Sequence, residues 1–315
     1  MCLTRRDFVA GCGVAAGMTL ATEDAPAQGD SRVESLNAPV YPGAPVLIVR
    51  DLAGVARYYE EGIGLNRIDA DSETVRLGAG GVVLLALRKR QAAEQEPPGL
   101  AGLYHTAFLL PSRGELGAWL RRAVQAKLPF DGAADHLVSE SLYLSDPEGN
   151  GIEVYADRPR DSWKWNGDIV EMRNSQLDMR GILADGAKIT GAGSRVPDGT
   201  RVGHVHMRVG GIEEAEKFYG KLLGFDVTRR REGATFYATG RYHHHLATNI
   251  WESRGSPRRP GTTTGLAVLS LIANDGATFD ATAERMLAVG GRRSGNAIAA
   301  DDPWGNVVEL SRSKA

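Results

Sequence analysis

Apolar positions along the chain follow two spacings that alternate. Short runs rich in β-branched and aromatic residues, at 104–110, 151–155, 234–238 and 266–272, read as strands. Between them, 113–126 and 277–289 carry apolar residues at helical spacing. The alternation predicts four units of strand, helix and further strands, beginning near Pro45, Leu103, Val202 and Gly265. Unit one adds strands at 74–77 and 82–87. Unit two has a strand at 104–110, a helix at 113–126 and strands near 137–144 and 151–155. Unit three runs from His204 through a helix at 213–223 to strands at 234–238 and 242–251. Unit four has a strand at 266–272, a helix at 277–289 and a last strand at 307–310. A polar, glycine-containing segment, 156–200, joins the halves, and Trp163 and Trp165 predict that it packs down.

The units are repeats. Val49-Arg50-Asp51-Leu52, Tyr58-Tyr59 and Gly64-Leu65 recur 160 residues later as Val209-Gly210-Gly211-Ile212, Phe218-Tyr219 and Gly224-Phe225. Asp146-Pro147-Glu148-Gly149-Asn150 with Glu153 recurs 156 residues later as Asp302-Pro303-Trp304-Gly305-Asn306 with Glu309. Each of the latter is a Pro/Gly turn feeding a final strand.

A 315-residue chain with 42% hydrophobic and 24% charged residues fits a folded protein of about two domains. Its net charge of −2 offers no positive field for nucleic acid or an anionic membrane. No stretch reaches the ~20 apolar residues of a membrane span. Cys2 and Cys12 are the only cysteines, so disulfide scaffolds and Cys-ligated zinc are excluded from the rest of the chain. Residues 1–30 resemble a twin-arginine export signal, with Arg5-Arg6, a weakly apolar stretch and Ala25-Pro26-Ala27. The expectation is a periplasmic or otherwise exported protein.

All seven histidines, His105, His136, His204, His206 and His243 to His245, fall in units two and three. His105 lies fourteen residues before Trp119, as His204 lies fourteen before Phe218, which places both on first strands. Glu153 is on the last strand of unit two. Two imidazoles and one carboxylate form the ligand set of a non-haem iron(II) facial triad, with open positions for substrate and oxygen. His206 shares a strand face with His204 and competes with it; the fourteen-residue spacing favours His204.

The four units, Gly203-His204-Val205-His206, the Phe218-Tyr219 to Phe225 segment, Tyr242-His243-His244-His245 with Asn249-Ile250-Trp251, and Ser145 to Pro159 together resemble the catechol 2,3-dioxygenase branch of the vicinal oxygen chelate superfamily. The resemblance covers nearly all of the chain after the export segment. It implies an α+β fold of four βαβββ modules forming two open, barrel-like domains. These would be 43–157 (modules one and two) and 201–315 (modules three and four), with 158–200 as linker. It also implies extradiol cleavage of a catechol-like diphenol by molecular oxygen, with Fe(II), or alternatively Mn(II), as the metal. His105, Glu153 and His204 match the family's ligand positions, whereas unit one has Ala44 at its place and unit four has no histidine. Units two and three are therefore expected to share the metal cavity, units one and four to form the other barrel, and Glu309 to be a relic of the repeat.

Ring cleavage needs proton transfer, for which histidine is suited. In the resembling family that histidine comes from the strand reading His243-His244-His245 here. Alternation along a strand cannot choose among them, and His244 and His245 are the candidates. Tyr143, ten residues before Glu153, corresponds to a tyrosine that bonds substrate oxygen, and His136 could reach the same cavity. The expected partners are a small aromatic substrate and oxygen, with no nucleic acid, no stable membrane partner, and self-association compatible with the sequence. Two other readings use the same fold: a glyoxalase- or isomerase-type metalloenzyme, and a non-catalytic protein that binds an aromatic ligand.

Overall fold

In the computed structural model, residues 35–191 and 193–313 are described. Residues 1–30, read above as an export signal, lie outside them. The strands of the four units form two large curled sheets. One has eight strands in the order Asp226–Arg231, Ala234–Ala238, Leu246–Asn249, Arg201–Arg208, Gly102–Leu109, Gly151–Asp157, Ser139–Ser145 and Gly132–Asp135. It unites units three and two. The other repeats that order with units four and one: Arg292–Ser294, Ala297–Asp301, Val307–Arg312, Gly265–Ala273, Val46–Val49, Val82–Lys89, Thr74–Ala79 and Asn66–Ala70. Val40–Pro42 is added beside Gly265–Ala273 as a ninth strand. The result is two half-barrels with helices, a mixed α+β fold.

The division at 158–200 separates the halves of the chain but not the sheets, because each half supplies one unit to each sheet. Edge chemistry accounts for this. Within unit two the first strand takes the last in parallel, Ala107 opposite Glu153, which leaves its other edge unpaired. That edge is satisfied by the equivalent edge of unit three in antiparallel pairing, His105 opposite His206. The repeated turns tie the units of each half together. Asp146 accepts the N–H groups of Glu148 and Asn150 and receives the Tyr59 hydroxyl of unit one at 3.4 Å. Asp302 likewise accepts from Trp304 and Asn306 and receives the Tyr219 hydroxyl of unit three at 2.7 Å. Gly149 and Gly305 close these turns at φ +84° and +83°, a region glycine enters without steric cost.

Helices start where a side chain satisfies a free N–H. Ser112 accepts from Glu115 ahead of Arg113–Gln125, and Asp275 from Thr278 ahead of Gly276–Ala288. Their buried faces join a core that includes Leu47, Leu85, Phe108, Trp119, Tyr219 and Leu269, and so spans both sheets. Among the described residues no helix is long and apolar enough to cross a membrane. One expected strand is shorter than the sequence pattern suggests. The 242–251 strand begins only at Leu246, because Gly240 and Arg241 turn the chain at φ +63° and +57°. His243 to His245 are therefore outside the strand and free of its alternation.

Candidate metal centre

Two bulges aim the central histidines. Between Arg201–Arg208 and Gly102–Leu109 the pairing skips Gly203 on one strand and Tyr104 on the other. Each skipped residue immediately precedes a histidine, so His204 and His105 receive matching reorientation from the extra residue. Exchanging the two units maps His105 onto His204 and Ala107 onto His206, and it preserves the pairs His105 with His206 and Ala107 with His204. His206 is thus the counterpart of an alanine, which agrees with the preference for His204. Continued outward, the mapping takes Glu153 to Ala247 and Tyr143 to Phe236, because Ala107 faces Glu153 as His206 faces Ala247. In the other sheet Val268 stands at the corresponding histidine place and Glu309 at that of Glu153. Glu309 there takes the Ser294 hydroxyl at 3.3 Å.

His105, Glu153 and His204 converge, and all three are buried. Their Nε2, Oε2 and Nε2 atoms form a triangle with edges of 3.0 Å (His105 to Glu153), 3.1 Å (His204 to Glu153) and 3.3 Å (His105 to His204). Adjacent ligands held about 2.1 Å from a metal are about 3.0 Å apart in an octahedron and about 3.4 Å apart in a tetrahedron. The triangle fits a metal ion seated over one face. Glu153 Oε1 is buried with no hydrogen-bond partner, a further acceptor in the cluster. Burial alone would push the Glu153 carboxyl up, but the adjoining His204 and His105 hold it well below its ordinary value, so it is a carboxylate ready to act as a ligand.

Tyr143 stands opposite Glu153 in the pairing, and its hydroxyl is 2.7 Å from His136 Nε2. Burial, reinforced by the Glu153 charge, raises its pKa well above the ordinary value and keeps it a phenol. The three-histidine tract divides its work. His244 lines the cavity, with its ring centroid 4.1 Å from that of His204. His243 stands behind it: its Nδ1 is 2.7 Å from His244 Nδ1 and its Nε2 is 2.8 Å from Asp157 Oδ1. Asp157 Oδ2 accepts the Tyr242 hydroxyl at 2.7 Å. His245 is not brought to the cavity. Its Nδ1 accepts the Thr239 N–H, its Nε2 bonds the Ser35 carbonyl, and it stacks on Tyr242.

A concave cavity opens over the cluster, the kind of site that takes a small molecule. His206 lines it while sharing a hydrogen bond with Asn249, and its pKa is pushed well below the ordinary value by burial and the charges of His105 and His204. Tyr104, Phe236 and Trp251 give it aromatic walls. Met172 and Asn174 also line it, so the 158–200 segment serves as a wall as well as a connection. Trp163 within that segment packs 5.0 Å from the His243 ring. Sequence reasoning missed Asp157, Asn174 and Arg231. For Asp157 a signal was present, since Glu153, Tyr155 and Asp157 alternate onto one face of a single strand.

Comparison with known proteins agrees with the repeat. The model of the Glyoxalase/Bleomycin resistance protein/Dioxygenase superfamily matches residues 42–154 and again 201–310. Catechol-2,3-dioxygenase of Bacillus subtilis (strain 168) is 36% identical over 258 residues, covering 80% of this chain and 89% of that protein. Biphenyl-2,3-diol 1,2-dioxygenase 2 of Rhodococcus globerulus is 33% identical over 101 residues, 31% of this chain and 47% of its own. Among solved structures, glyoxalase I from Zea mays superposes with a TM-score of 0.52 at 16% identity, over 88% of this chain and 93% of that one, a likeness of fold alone. Since the family model matches both halves of the chain, and each half folds into the units that build the two sheets, the protein belongs to the Glyoxalase/Bleomycin resistance protein/Dioxygenase superfamily.

Proposed function

We propose that the protein is an extradiol ring-cleaving dioxygenase acting on a catechol-like diphenol, with iron(II) held by His105, Glu153 and His204. The observation that carries this reading is the asymmetry of the cluster. Unit two supplies a histidine and a glutamate, unit three supplies a histidine, and the counterpart of the glutamate is Ala247. Three protein ligands, with no fourth in the cluster among the described residues, leave room for two oxygens of a diphenol and for dioxygen. The similarity to two ring-diol dioxygenases supports the same conclusion. When bound, iron(II) supplies Lewis-acid binding of the diphenol and the electron transfer that lets it react with oxygen.

The chain's own residues manage protons and position. If His243 donates from Nε2 to the Asp157 carboxylate, its Nδ1 accepts from His244 Nδ1–H, and neutral His244 keeps a lone pair at Nε2. Burial, with the charges of His204 and His243, holds the His244 pKa well below its ordinary value, so it enters the reaction unprotonated. It can take a hydroxyl proton at Nε2 while passing the Nδ1 proton to His243, where Asp157 balances the charge. The reverse sequence returns a proton to the opened product. Tyr143, kept as a phenol and paired with His136, offers a hydroxyl that can donate to or accept from a substrate oxygen. The aromatic walls exclude water and stack on a ring.

The test is anaerobic loading with iron(II), followed by oxygen uptake with catechol and identification of the product. One oxygen consumed per diphenol, with both oxygen atoms in a ring-opened product, is expected. Metal retention without oxygen uptake for any diphenol would refute the dioxygenase reading.

A further inference from the structure

The cavity wall carries a charge that the proposed ring chemistry does not use. The edge strand Asp226–Arg231 ends in three arginines. Arg230 points away from the cavity and pairs with Glu216, its Nε and Nη2 each 2.8 Å from a carboxylate oxygen. Arg231 lines the cavity, and its Nη1 donates to Asn174 Oδ1 at 3.1 Å, with Asn174 itself on the wall. Among the described residues neither Arg229 nor Arg231 has a carboxylate partner within 4.0 Å. Arg229 Nε is buried with no hydrogen-bond partner. Arg231 itself is exposed, with Arg229 the neighbouring cation on the strand. Asp131 is the acidic residue at this wall. It is occupied by the Ser145 hydroxyl at 2.6 Å and does not pair with Arg231.

We propose that the diphenol accepted by this site carries a carboxylate on a ring substituent, bound by Arg231 with Asn174 beside it. The inference rests on the diphenol reading of the same cavity and adds the substituent. Arg231 is exposed where it lines the cavity, beside Arg229, and a neutral substrate gives it no carboxylate partner there. A carboxylate on the substrate supplies one, and the fork of Arg231 matches it with two hydrogen bonds. The cationic wall therefore discriminates among diphenols that the cluster itself would treat alike.

The probes are 3,4-dihydroxybenzoate, its homologues with one and two methylenes before the carboxylate, and the methyl ester of each. Binding to the metal-free protein is measured by calorimetry, and kcat/KM by oxygen uptake of the iron-loaded protein. At least one acid should exceed its ester by about 10- to 100-fold in affinity or in kcat/KM, the range of a charge-assisted hydrogen-bond pair. Arg231→Gln should bring that ratio close to one, and Arg231→Lys should restore part of it. An acid-to-ester ratio near one in both measurements on the unaltered protein overturns the proposal, as does a ratio that survives Arg231→Gln. Equal oxygen uptake with acids and esters would remove the carboxylate while leaving the dioxygenase. An acid preference in binding, lost in Arg231→Gln but without oxygen uptake for any probe, would keep the carboxylate site and remove the dioxygenase.

Discussion

Tyr104 and Gly203 occupy the same place in their respective units: each is the extra residue of a bulge, and each stands directly before a histidine of the cluster. Close neighbours hold the place before His204, and position 151 beside Tyr104, to glycine. A Cβ on Gly203 would lie 1.8 Å from the Tyr155 hydroxyl oxygen, and one on Gly151 would lie 1.9 Å from the Tyr104 carbonyl oxygen. Gly203→Ala should therefore cost about 1 to 3 kcal/mol, the usual range for overpacking, and weaken metal binding by disturbing His204. Urea denaturation and metal titration of the variant check both, and an unchanged midpoint would remove the close-approach argument.

Loss of any corner of the triangle should release the metal. His105→Ala, His204→Ala and Glu153→Ala are each expected to emerge from a chelator wash with little iron, while Glu309→Gln keeps it. Iron quantified per chain decides the matter; retention in Glu153→Ala with loss in Glu309→Gln would move the site to the other sheet.

The three neighbouring histidines should respond unequally to replacement by glutamine. His244→Gln is expected to retain iron and lose about 10²- to 10⁴-fold in turnover, the range for a positioned proton-transfer group. His243→Gln should lose less and shift the pH–rate profile, since Asp157 and His244 lose their link. His245→Gln should keep turnover within a few-fold but lower stability by about 1 to 3 kcal/mol, because the Thr239 N–H loses its acceptor. Equal losses of turnover in all three would contradict this division.

Burial of neutral histidine also sets a pH dependence. Enclosure lowers the pKa of His245 from 6.5 to about 3. Between these values the unfolded chain binds a proton that the native state does not, so stability is complete above pH 6.5 and falls as the pH approaches 3. The slope from one such group is about 1.4 kcal/mol per pH unit. Denaturant midpoints of the metal-free protein should decline over this window, and His245→Gln should decline less steeply by about one proton.

Much of this arrangement was legible in the residues themselves. The fourteen-residue spacing from His105 to Trp119 and from His204 to Phe218 located two equivalent strands, and the confinement of histidines to units two and three pointed to the sheet they share. What escaped depended on backbone detail or on distant chain. The expected strand over His243 to His245 is absent, because Gly240 and Arg241 turn the chain ahead of Leu246, and that places His244 at the cavity and His245 away from it. The contribution of Asn174 and Met172 could not be read, since they come from a segment with no periodicity and reach the cavity only through the tertiary fold. Nothing in the sequence separates Arg231 from Arg229 and Arg230; the placement of their edge strand brings Arg231 to the cavity and Arg230 to Glu216.

The nesting of the sheets has a consequence for synthesis. Every strand of the sheet that carries His105, Glu153 and His204 lies between Gly102 and Asn249, whereas Val46–Val49 must wait for Gly265–Ala273. As the chain leaves the ribosome, the inner sheet has all its strands before the last fifth of the polypeptide exists. Through that interval the edge of Val46–Val49 has no partner from unit four, an exposed strand edge of the kind that recruits other chains. Premature termination after unit three would thus preserve the complete ligand set yet leave an adhesive border, making the C-terminal unit a seal for the first one.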